Sequence, residues 1–234
     1  EEGRDRIAIF NAELRASVTE RLTIEAQLRP ALERGELEVW YQPEVDLRTR
    51  EITAVEALVR WHHPSGELFT ADRFIEAAEE TGLIIVIGDW VLRTACSDMK
   101  RWAAQGLPRV PMAINLSARQ FGREGLADTI ADALREYALD ASQLELEITE
   151  SAVMDNAERA AAVLERLHAM GVRVALDDFG TGFSSFAYLK HLQADAVKID
   201  GLFIRDLPSD FDNQIFVKAI VAVARGMREL TIAE

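Results

Sequence analysis

The sequence Val174-Ala175-Leu176-Asp177-Asp178-Phe179-Gly180-Thr181-Gly182 is an apolar, strand-like run that ends in two adjacent carboxylates and a glycine-rich turn. Adjacent carboxylates repel each other, so both stay ionised at a strand end only where positive charge lies nearby. Carboxylate oxygens are preferred ligands of hard divalent cations, which would supply that charge. The dipeptide by itself also fits an aspartate that caps a helix beside a solvated neighbour. The rest of the sequence favours the cation site.

Five further strand-like segments carry acidic, amide or basic side chains within them or at their ends. The segment 111–117 contains Asn115, and residues 144–150 alternate apolar and acidic side chains with the period of two that is typical of a strand. The other polar side chains in such segments are Glu56, Arg60, Lys198, Asp200 and Glu234. Six segments with this property predict one convergent polar site.

Helical patterns alternate with these strands. Apolar residues recur at helical spacing in four segments, residues 89–105, 122–137, 155–170 and 211–228. From residue 112 onward, strand and helix therefore alternate, which indicates βαβ units around a parallel sheet. In a closed (β/α) barrel, active-site residues gather at the C-terminal ends of the strands. Because the polar side chains lie at such positions, the predicted fold is an α/β barrel.

The composition is that of a folded domain with a large core. Hydrophobic residues make up 49% of the 234 residues and charged residues 28%. The formal net charge of −14 argues against binding to DNA or RNA, although bound cations would still allow a small anionic ligand. No apolar run approaches the roughly 18 residues that span a bilayer, and the single cysteine, Cys96, suits a reducing compartment. We therefore expect a cytoplasmic domain, and the parent protein could be membrane-anchored through segments not present here.

The histidine and serine residues do not indicate a different chemistry. His62-His63 has no partner at metal-ligand spacing. Ser117 and Ser184-Ser185 lack the His–Asp arrangement that activates a serine nucleophile. The catalytic prediction therefore rests on the carboxylates and their cationic neighbours.

A series of motifs runs in a specific order through about residues 20 to 234. The motifs are Tyr41-Gln42-Pro43, Glu56-Ala57-Leu58-Val59-Arg60-Trp61, the segment 74–84, Ile114-Asn115-Leu116-Ser117, Glu147-Ile148-Thr149-Glu150, the segment 177–185, and Val197-Lys198-Ile199-Asp200. Together they resemble the EAL-type cyclic-di-GMP phosphodiesterase domain. The resemblance implies a TIM-like barrel whose first strand, Leu37 to Leu47, runs antiparallel and turns through Arg48–Arg50 into the strand with Glu56.

The same resemblance implies a site for two divalent cations, Mg²⁺ or Mn²⁺. The ligands of one ion would be Glu56, Asn115, Glu147 and Asp177. Asp177 would bridge to a second ion, which Asp178 would also hold. Two such ions, about 3.5–4 Å apart, neutralise the charge on a phosphodiester and activate water. Ca²⁺ is expected to bind but inhibit, because its looser coordination positions water poorly.

Further roles follow from the resemblance. Lys198 would lie beside the attacking water and Glu234 would be the general base, so Glu56, Asp177, Lys198 and Glu234 form the implied catalytic set. Arg60 would contact a substrate phosphate. Contacts to the nucleotide are expected at Gln42, Leu58 and Asp200. Cleavage of one bond would convert cyclic-di-GMP into linear 5′-pGpG.

The loop from Phe179 to Tyr188 is implied to have a structural role beside the site. Its glycines make the backbone permissive, and its aromatic residues suit either a core anchor or an interface. The resemblance favours a homodimer interface nearby, with Glu150 as the anchor of the loop. We expect bound metal or substrate to order the loop and strengthen the homodimer.

The two ends of the chain suggest a fragment of a GGDEF–EAL protein. Residues 1–10 resemble the final strand of a GGDEF (diguanylate cyclase) domain, and residues 11–35 are predicted to form a helical connector. Residues 36–234 would be the EAL domain, which by this resemblance is expected to be incomplete at its C-terminus and to lack the eighth barrel strand.

Two functions remain compatible with the sequence. The first is a metal-dependent cyclic-di-GMP phosphodiesterase, and the second is a catalytically silent receptor that binds the same ligand and signals to a partner. Silent relatives usually lose ligand acids, whereas every implied site residue that falls within this chain is present. The sequence therefore favours the enzyme.

Overall fold

The described residues form one eight-stranded sheet, with seven strands on its main path. The computed structural model describes residues 12–154, 157–180 and 194–234. The order along the sheet is β1-β2-β4-β5-β6-β7-β8, and the short strand β3 pairs with β2 to one side. The strands are β1 Leu37–Val45, β2 Ile52–His62, β3 Leu68–Thr70, β4 Met112–Leu116, β5 Leu144–Thr149, β6 Arg173–Phe179, β7 Ala196–Ile199 and β8 Leu230–Ala233.

Helices connect most of the parallel strands. They are α1 Ala12–Glu33, α2 Ile75–Thr81, α3 Leu83–Ala104, α4 Ala118–Phe121, α5 Leu126–Tyr137, α6 Glu150–Met154, α7 Ala157–Met170, α8 Gly201–Ile204 and α9 Phe211–Met227. Short 3-10 helices cover Ala71–Arg73 and Ala141–Gln143. None of the described helices is both long and apolar enough to cross a membrane.

The first strand is antiparallel to the second, as predicted. Leu37 lies opposite Trp61, and the register continues without interruption to Glu44 opposite Ala54. The turn between the strands is closed by Asp46, whose carboxylate accepts the backbone N–H groups of Arg48 and Thr49 at 2.8 Å each. The antiparallel hairpin therefore begins the sheet.

From β2 onward the main path of the sheet is parallel. The pairs β2–β4, β4–β5, β5–β6, β6–β7 and β7–β8 all run in the same direction. Among the described residues, no strand joins β8 back to β1, so the sheet remains open at that seam. The α/β, TIM-like fold with an antiparallel first strand is thus confirmed, and a further strand that would close the barrel is not evident among the described residues. Because parallel strands present their carboxyl ends at one edge, this topology gathers their terminal side chains.

Strand β5 shows how the sheet separates apolar from acidic side chains. Leu144, Leu146 and Ile148 are buried on one face, and Glu145 and Glu147 are equally buried, at 1% exposure, on the other. Alternation with period two is therefore present, but the acidic face points into the protein and not into solvent. Carboxylates held in this way need charged or hydrogen-bonding neighbours inside the fold.

The two N-terminal segments have different positions relative to the described structure. The predicted GGDEF remnant, residues 1–10, lies outside the described residues. Helix α1 occupies most of the predicted connector, and its second half packs into the core through Ile24, Leu28 and Ala31, which are at most 5% exposed. That half of the helix is therefore an integral part of the packed domain.

Candidate active site

The amino group of Lys198 lies at the centre of a ring of carboxylates. Its Nζ is 2.7 Å from Glu147 Oε1, 2.7 Å from Glu234 Oε1, 3.4 Å from Glu56 Oε2 and 3.8 Å from Asp177 Oδ1. The Lys198 side chain is 1% exposed. Residues from β2, β5, β6, β7 and the position after β8 thus meet at one point, as the alternation of strands and helices predicted. We refer to these four carboxylates as the Lys198 ring.

Asn115 joins the ring through Glu56. The Asn115 Nδ2 amide donates a hydrogen bond of 2.7 Å to Glu56 Oε1. The register of the sheet explains the contact, because Asn115 lies near the end of β4, between the Glu56 strand and the Glu147 strand. The four residues implied as ligands of the first cation therefore lie around one space.

The end of β6 departs from regular strand geometry at the two aspartates. Consecutive side chains of a regular strand point to opposite faces, but the β6–β7 register shifts between Leu176 and Phe179. Asp178 adopts a left-handed φ of 55°, and its N–H donates to Asp177 Oδ1 at 2.9 Å. As a result, Asp177, Asp178 and Glu234 each offer an oxygen atom within 4.8 Å of the others. Such backbone strain is found preferentially at functional sites.

Burial and mutual repulsion raise the pKa values of Glu147, Asp177, Asp178 and Glu234. Burial raises the pKa of Glu147 to about 9, with Lys198 opposing the shift and Glu56 and Asp177 adding to it. Burial likewise raises the pKa values of Asp177, Asp178 and Glu234. Among the residues that the structure describes, Lys198 supplies the ammonium group that faces these carboxyl groups, and the carboxyl groups outnumber it.

The same environment acts on the pKa of the Lys198 ammonium group through two opposing effects. Burial alone would lower the pKa of its ammonium group, but the negative charges of Glu147, Asp177 and Glu56 outweigh burial and raise it. Lys198 is thus held in its charged form. The donor set around it, carboxylates with one amide, is the oxygen-rich set that Mg²⁺ and Mn²⁺ prefer, so the residues fit the implied cations.

A second group of acids, two buried and one half-buried, includes Glu147 and was not singled out from the sequence. Glu44, Glu145 and Glu147 each offer an oxygen within 4.8 Å of the others. Glu145 is paired with Arg173, whose Nη2 lies 3.0 Å from Glu145 Oε2. The period-two alternation of β5 puts Glu145 on the same face as Glu147, and this was the sequence pattern from which Glu145 could have been predicted as part of the site. This layer adds negative charge beneath the Lys198 ring.

The residues expected to bind substrate extend along the β1–β2 hairpin. Gln42 lies opposite Glu56, and Leu58 and Arg60 follow on the same face of β2. The Arg60 Nη1 donates to its neighbour's carbonyl, Val59 O, at 3.0 Å. These three positions therefore form a line that leads away from the Lys198 ring.

Asp200 and Glu150 occupy positions next to the strand ends. Asp200 caps α8, since its carboxylate accepts the N–H of Leu202 at 2.6 Å, and its charge contributes to the raised pKa values of Asp177 and Asp178. Glu150 begins α6 and is 6% exposed. The loop that Glu150 is predicted to anchor falls mostly in residues 181–193, outside the described residues, so that role stays a prediction.

Ser117, which was excluded as a nucleophile, has a structural role. Its hydroxyl caps α4 by accepting the Gln120 N–H at 3.3 Å, and the Gln120 side chain accepts the Ser117 N–H at 3.2 Å in return. This capping box begins α4 directly after the strand that carries Asn115.

Gly180 is required by the turn that follows the two aspartates. It has a left-handed φ of 101°, and a Cβ atom there would lie 3.0 Å from the Phe203 ring. We expect Gly180→Ala to lower the free energy of unfolding by about 1–3 kcal/mol because of backbone strain and crowding. Urea denaturation measures this change.

Gly226 in α9 is the matched control for Gly180. A Cβ atom at Gly226 meets nothing within 4 Å, and its φ is not left-handed. Gly226→Ala should therefore leave stability unchanged or raise it by up to about 1 kcal/mol. Equal effects of the two substitutions would contradict the assigned turn geometry.

The chain is similar to proteins whose functions are named. The EAL domain family model matches residues 25–234. The bifunctional diguanylate cyclase/cyclic di-GMP phosphodiesterase MucR of Pseudomonas aeruginosa is 44% identical over 234 residues, which are 100% of this chain and 34% of MucR. The cyclic di-GMP phosphodiesterase NbdA of the same organism is 42% identical over 232 residues, which are 99% of this chain and 30% of NbdA. The chain thus spans about a third of the length of these relatives.

The fold is also similar to solved structures. A structure described as "PaMucR Phosphodiesterase, c-di-GMP complex" is 45% identical and superposes with a TM-score of 0.86, covering 90% of this chain and 85% of that chain. The structural likeness therefore extends over nearly all of the sheet and its helices.

Proposed function

The chain belongs to the EAL domain family, and from that premise we propose that it hydrolyses cyclic-di-GMP to linear 5′-pGpG in a metal-dependent reaction. The observation that carries the proposal is the Lys198 ring, in which carboxylates from several strands surround one buried ammonium group. In a barrel with no ligand the burial of these acids together would be unexplained, because each buried charge lowers the stability of the fold. The relative named PaMucR phosphodiesterase, solved as a c-di-GMP complex, supports the choice of substrate.

The cations would be held by residues that already lie together. Glu56, Asn115, Glu147 and Asp177 would hold one Mg²⁺ or Mn²⁺, and Asp177 and Asp178 would hold the second. When bound, the two cations would neutralise charge on the phosphodiester and lower the pKa of a water molecule. The excess of carboxylates over ammonium groups and the raised pKa values of Glu147, Asp177 and Asp178 support this assignment.

Glu234 is suited to accept a proton from the attacking water. Its side chain is 32% exposed, more than those of the other ring acids, so a water molecule can approach it. Burial raises its pKa, which makes its carboxylate a better general base. Lys198, 2.7 Å from Glu234, holds this carboxylate in place and adds positive charge beside the reacting phosphate.

Substrate would be oriented by the hairpin and by α8. Arg60 would pair with a phosphate, and Gln42, Leu58 and Asp200 would contact the nucleotides. Gln42 and Leu58 share the face that carries Glu56, so a nucleotide bound along this face would extend from the Lys198 ring towards Arg60. The hairpin therefore sets the direction in which the substrate lies.

We also propose the wider context of the chain. The parent protein would carry a GGDEF domain before residue 11, as the name of the relative MucR indicates for that protein. The domain would function in the cytoplasm as a homodimer whose interface lies near the loop that follows Gly180. Comparison of the dimer dissociation constant with and without Mg²⁺ and substrate analogue, in wild type and Glu150→Ala, tests the homodimer and its coupling to the site.

The test of the proposed function is chromatography of cyclic-di-GMP and its products after incubation with the chain. We expect conversion to 5′-pGpG with Mg²⁺ or Mn²⁺, loss of conversion in excess chelator, and inhibition by Ca²⁺. Binding of cyclic-di-GMP without conversion under every metal condition would support the silent receptor instead. Full conversion in excess chelator would contradict the metal-dependent reaction.

A further inference from the structure

One face of the β1–β2 hairpin connects the Lys198 ring to an exposed tryptophan. Gln42 lies opposite Glu56, and Trp40 lies opposite Leu58 one step further out. Side chains two residues apart on a strand share a face and are separated by roughly 6.6–6.8 Å. Trp40 is therefore the next aromatic surface beyond the catalytic carboxylate Glu56 on the face where substrate is expected.

Contacts between side chains confirm that Trp40 and Arg60 share this face. The Arg60 guanidinium carbon lies 5.6 Å from the centroid of the Trp40 ring. The Trp40 indole N–H donates a hydrogen bond to the Glu38 carboxylate. The ring is thus held at its edge by Glu38 and over its face by Arg60, so little side-chain entropy remains to be lost when a ligand binds.

The exposure of Trp40 is not explained by packing. Trp40 is 49% exposed, whereas Trp61 on the neighbouring strand is fully buried. The remaining tryptophans, Trp90 and Trp102, are partly buried against the core. An indole that is fixed in orientation yet 49% exposed, on the face that carries Glu56, offers aromatic surface that the Arg60 contact leaves open to solvent.

We propose that Trp40 is a substrate-binding residue on which one guanine of cyclic-di-GMP stacks. This inference rests on the proposed function. Arg60 would engage the phosphate of the same nucleotide while staying over the indole, so the base and the guanidinium would use the same ring. Aromatic side chains bind bases by stacking, without contacts to the hydrogen-bonding edges of the base, so Trp40 would add affinity for a nucleotide. The spacing between side chains two residues apart on a strand is also comparable with the distance between a phosphate and the base of the same nucleotide.

The test compares steady-state kinetics of wild type, Trp40→Ala and Trp40→Phe with cyclic-di-GMP. Trp40→Ala should raise KM about 5- to 150-fold, which corresponds to roughly 1–3 kcal/mol of stacking free energy per base. Trp40→Phe retains an aromatic face, so its KM should stay within about threefold of wild type. The kcat of both variants should change by less than about threefold, because Trp40 touches no reacting atom.

Two additional measurements separate stacking from a packing role. Phe211→Ala removes an aromatic residue that is 71% exposed on α9, and its KM should equal that of wild type. Cyclic-di-GMP should quench the tryptophan fluorescence of wild type, and Trp40→Phe should lose most of this quenching while still binding.

Each alternative outcome is distinct. A wild-type chain that hydrolyses cyclic-di-GMP, with an unchanged KM in Trp40→Ala, overturns the stacking inference and leaves the proposed function intact. A raised KM in Trp40→Ala that Trp40→Phe does not restore overturns stacking as well. A wild-type chain that neither binds nor hydrolyses cyclic-di-GMP overturns the proposed function, and the stacking inference with it.

Discussion

Replacement of Lys198 by methionine is expected to destabilise the metal-free chain by about 3–5 kcal/mol and to abolish turnover. The substitution removes the ammonium group that lies within 4 Å of Glu56, Glu147, Asp177 and Glu234, which is their shared charged partner among the described residues. Removal of one partner of a buried ion pair is strongly destabilising. Urea denaturation in chelator measures the loss of stability. Saturating Mn²⁺ should recover part of it, because cations that bind the folded state supply the missing charge.

The control for this experiment is Lys218→Met. Lys218 lies on the exposed side of α9, so its replacement should change stability by less than about 0.5 kcal/mol. If Lys198→Met were as stable as wild type in chelator, Lys198 would not be the charge that holds the ring together. If Mn²⁺ restored full turnover to Lys198→Met, the catalytic role of Lys198 would be wrong.

Replacement of Asp177 by asparagine is expected to lower turnover of cyclic-di-GMP by roughly 10³-fold or more. Asp177 lies in the Lys198 ring, at 3.8 Å from Nζ, and also within 4.8 Å of ligand atoms of Asp178 and Glu234. Under the proposed function its carboxylate would be shared between the two cation positions, and a neutral amide would weaken both. The rate of 5′-pGpG formation measures the effect, and circular dichroism establishes that the variant is folded.

Asp128→Asn is the matched change at an exposed position. Asp128 pairs at the surface with Arg166, whose Nη2 lies at 2.7 Å, and exposed ion pairs contribute at most about 1 kcal/mol. Its turnover should therefore equal that of wild type. A folded Asp177→Asn that keeps more than a tenth of the wild-type rate at saturating Mg²⁺ would remove Asp177 from the proposed cation bridge.

The convergence of the site could be predicted from the sequence because parallel strands end at one edge. Asn115, Glu147 and Lys198, near the ends of strands, and Glu56, within β2, were each recognisable as polar residues in apolar runs. The alternation of strands with helices then placed those ends together. This convergence depends on the order of strands and helices and not on side-chain contacts, so it could be predicted from the sequence.

The arrangement of Asp177 and Asp178 could not be predicted from the strand pattern. Regular alternation would direct the two side chains to opposite faces. The irregularity after Leu176 and the left-handed Asp178 direct both carboxylates towards Glu234. Bulges of this kind depend on the pairing between two strands, here β6 and β7, and leave little trace in a single segment.

Helix boundaries were less predictable than helix positions. The helix predicted from residue 89 begins at Leu83, because Gly82 in a left-handed conformation separates α2 from α3 and the first turns of α3 are apolar on most sides. The helix predicted from residue 122 begins only at Leu126, after Gly125 in a left-handed conformation. Both differences arise where glycine conformation, and not hydrophobic periodicity, determines the boundary.

The measurement that tests the central claim most directly is the number of Mn²⁺ ions bound, determined together with turnover in the same samples. Equilibrium dialysis of the metal-depleted chain over a range of Mn²⁺ concentrations gives occupancy, and chromatography of 5′-pGpG gives the rate. We predict two ions per chain and a rate that rises with occupancy of the second ion. Undiminished turnover without bound Mn²⁺, or no turnover when both positions are filled, would contradict the account.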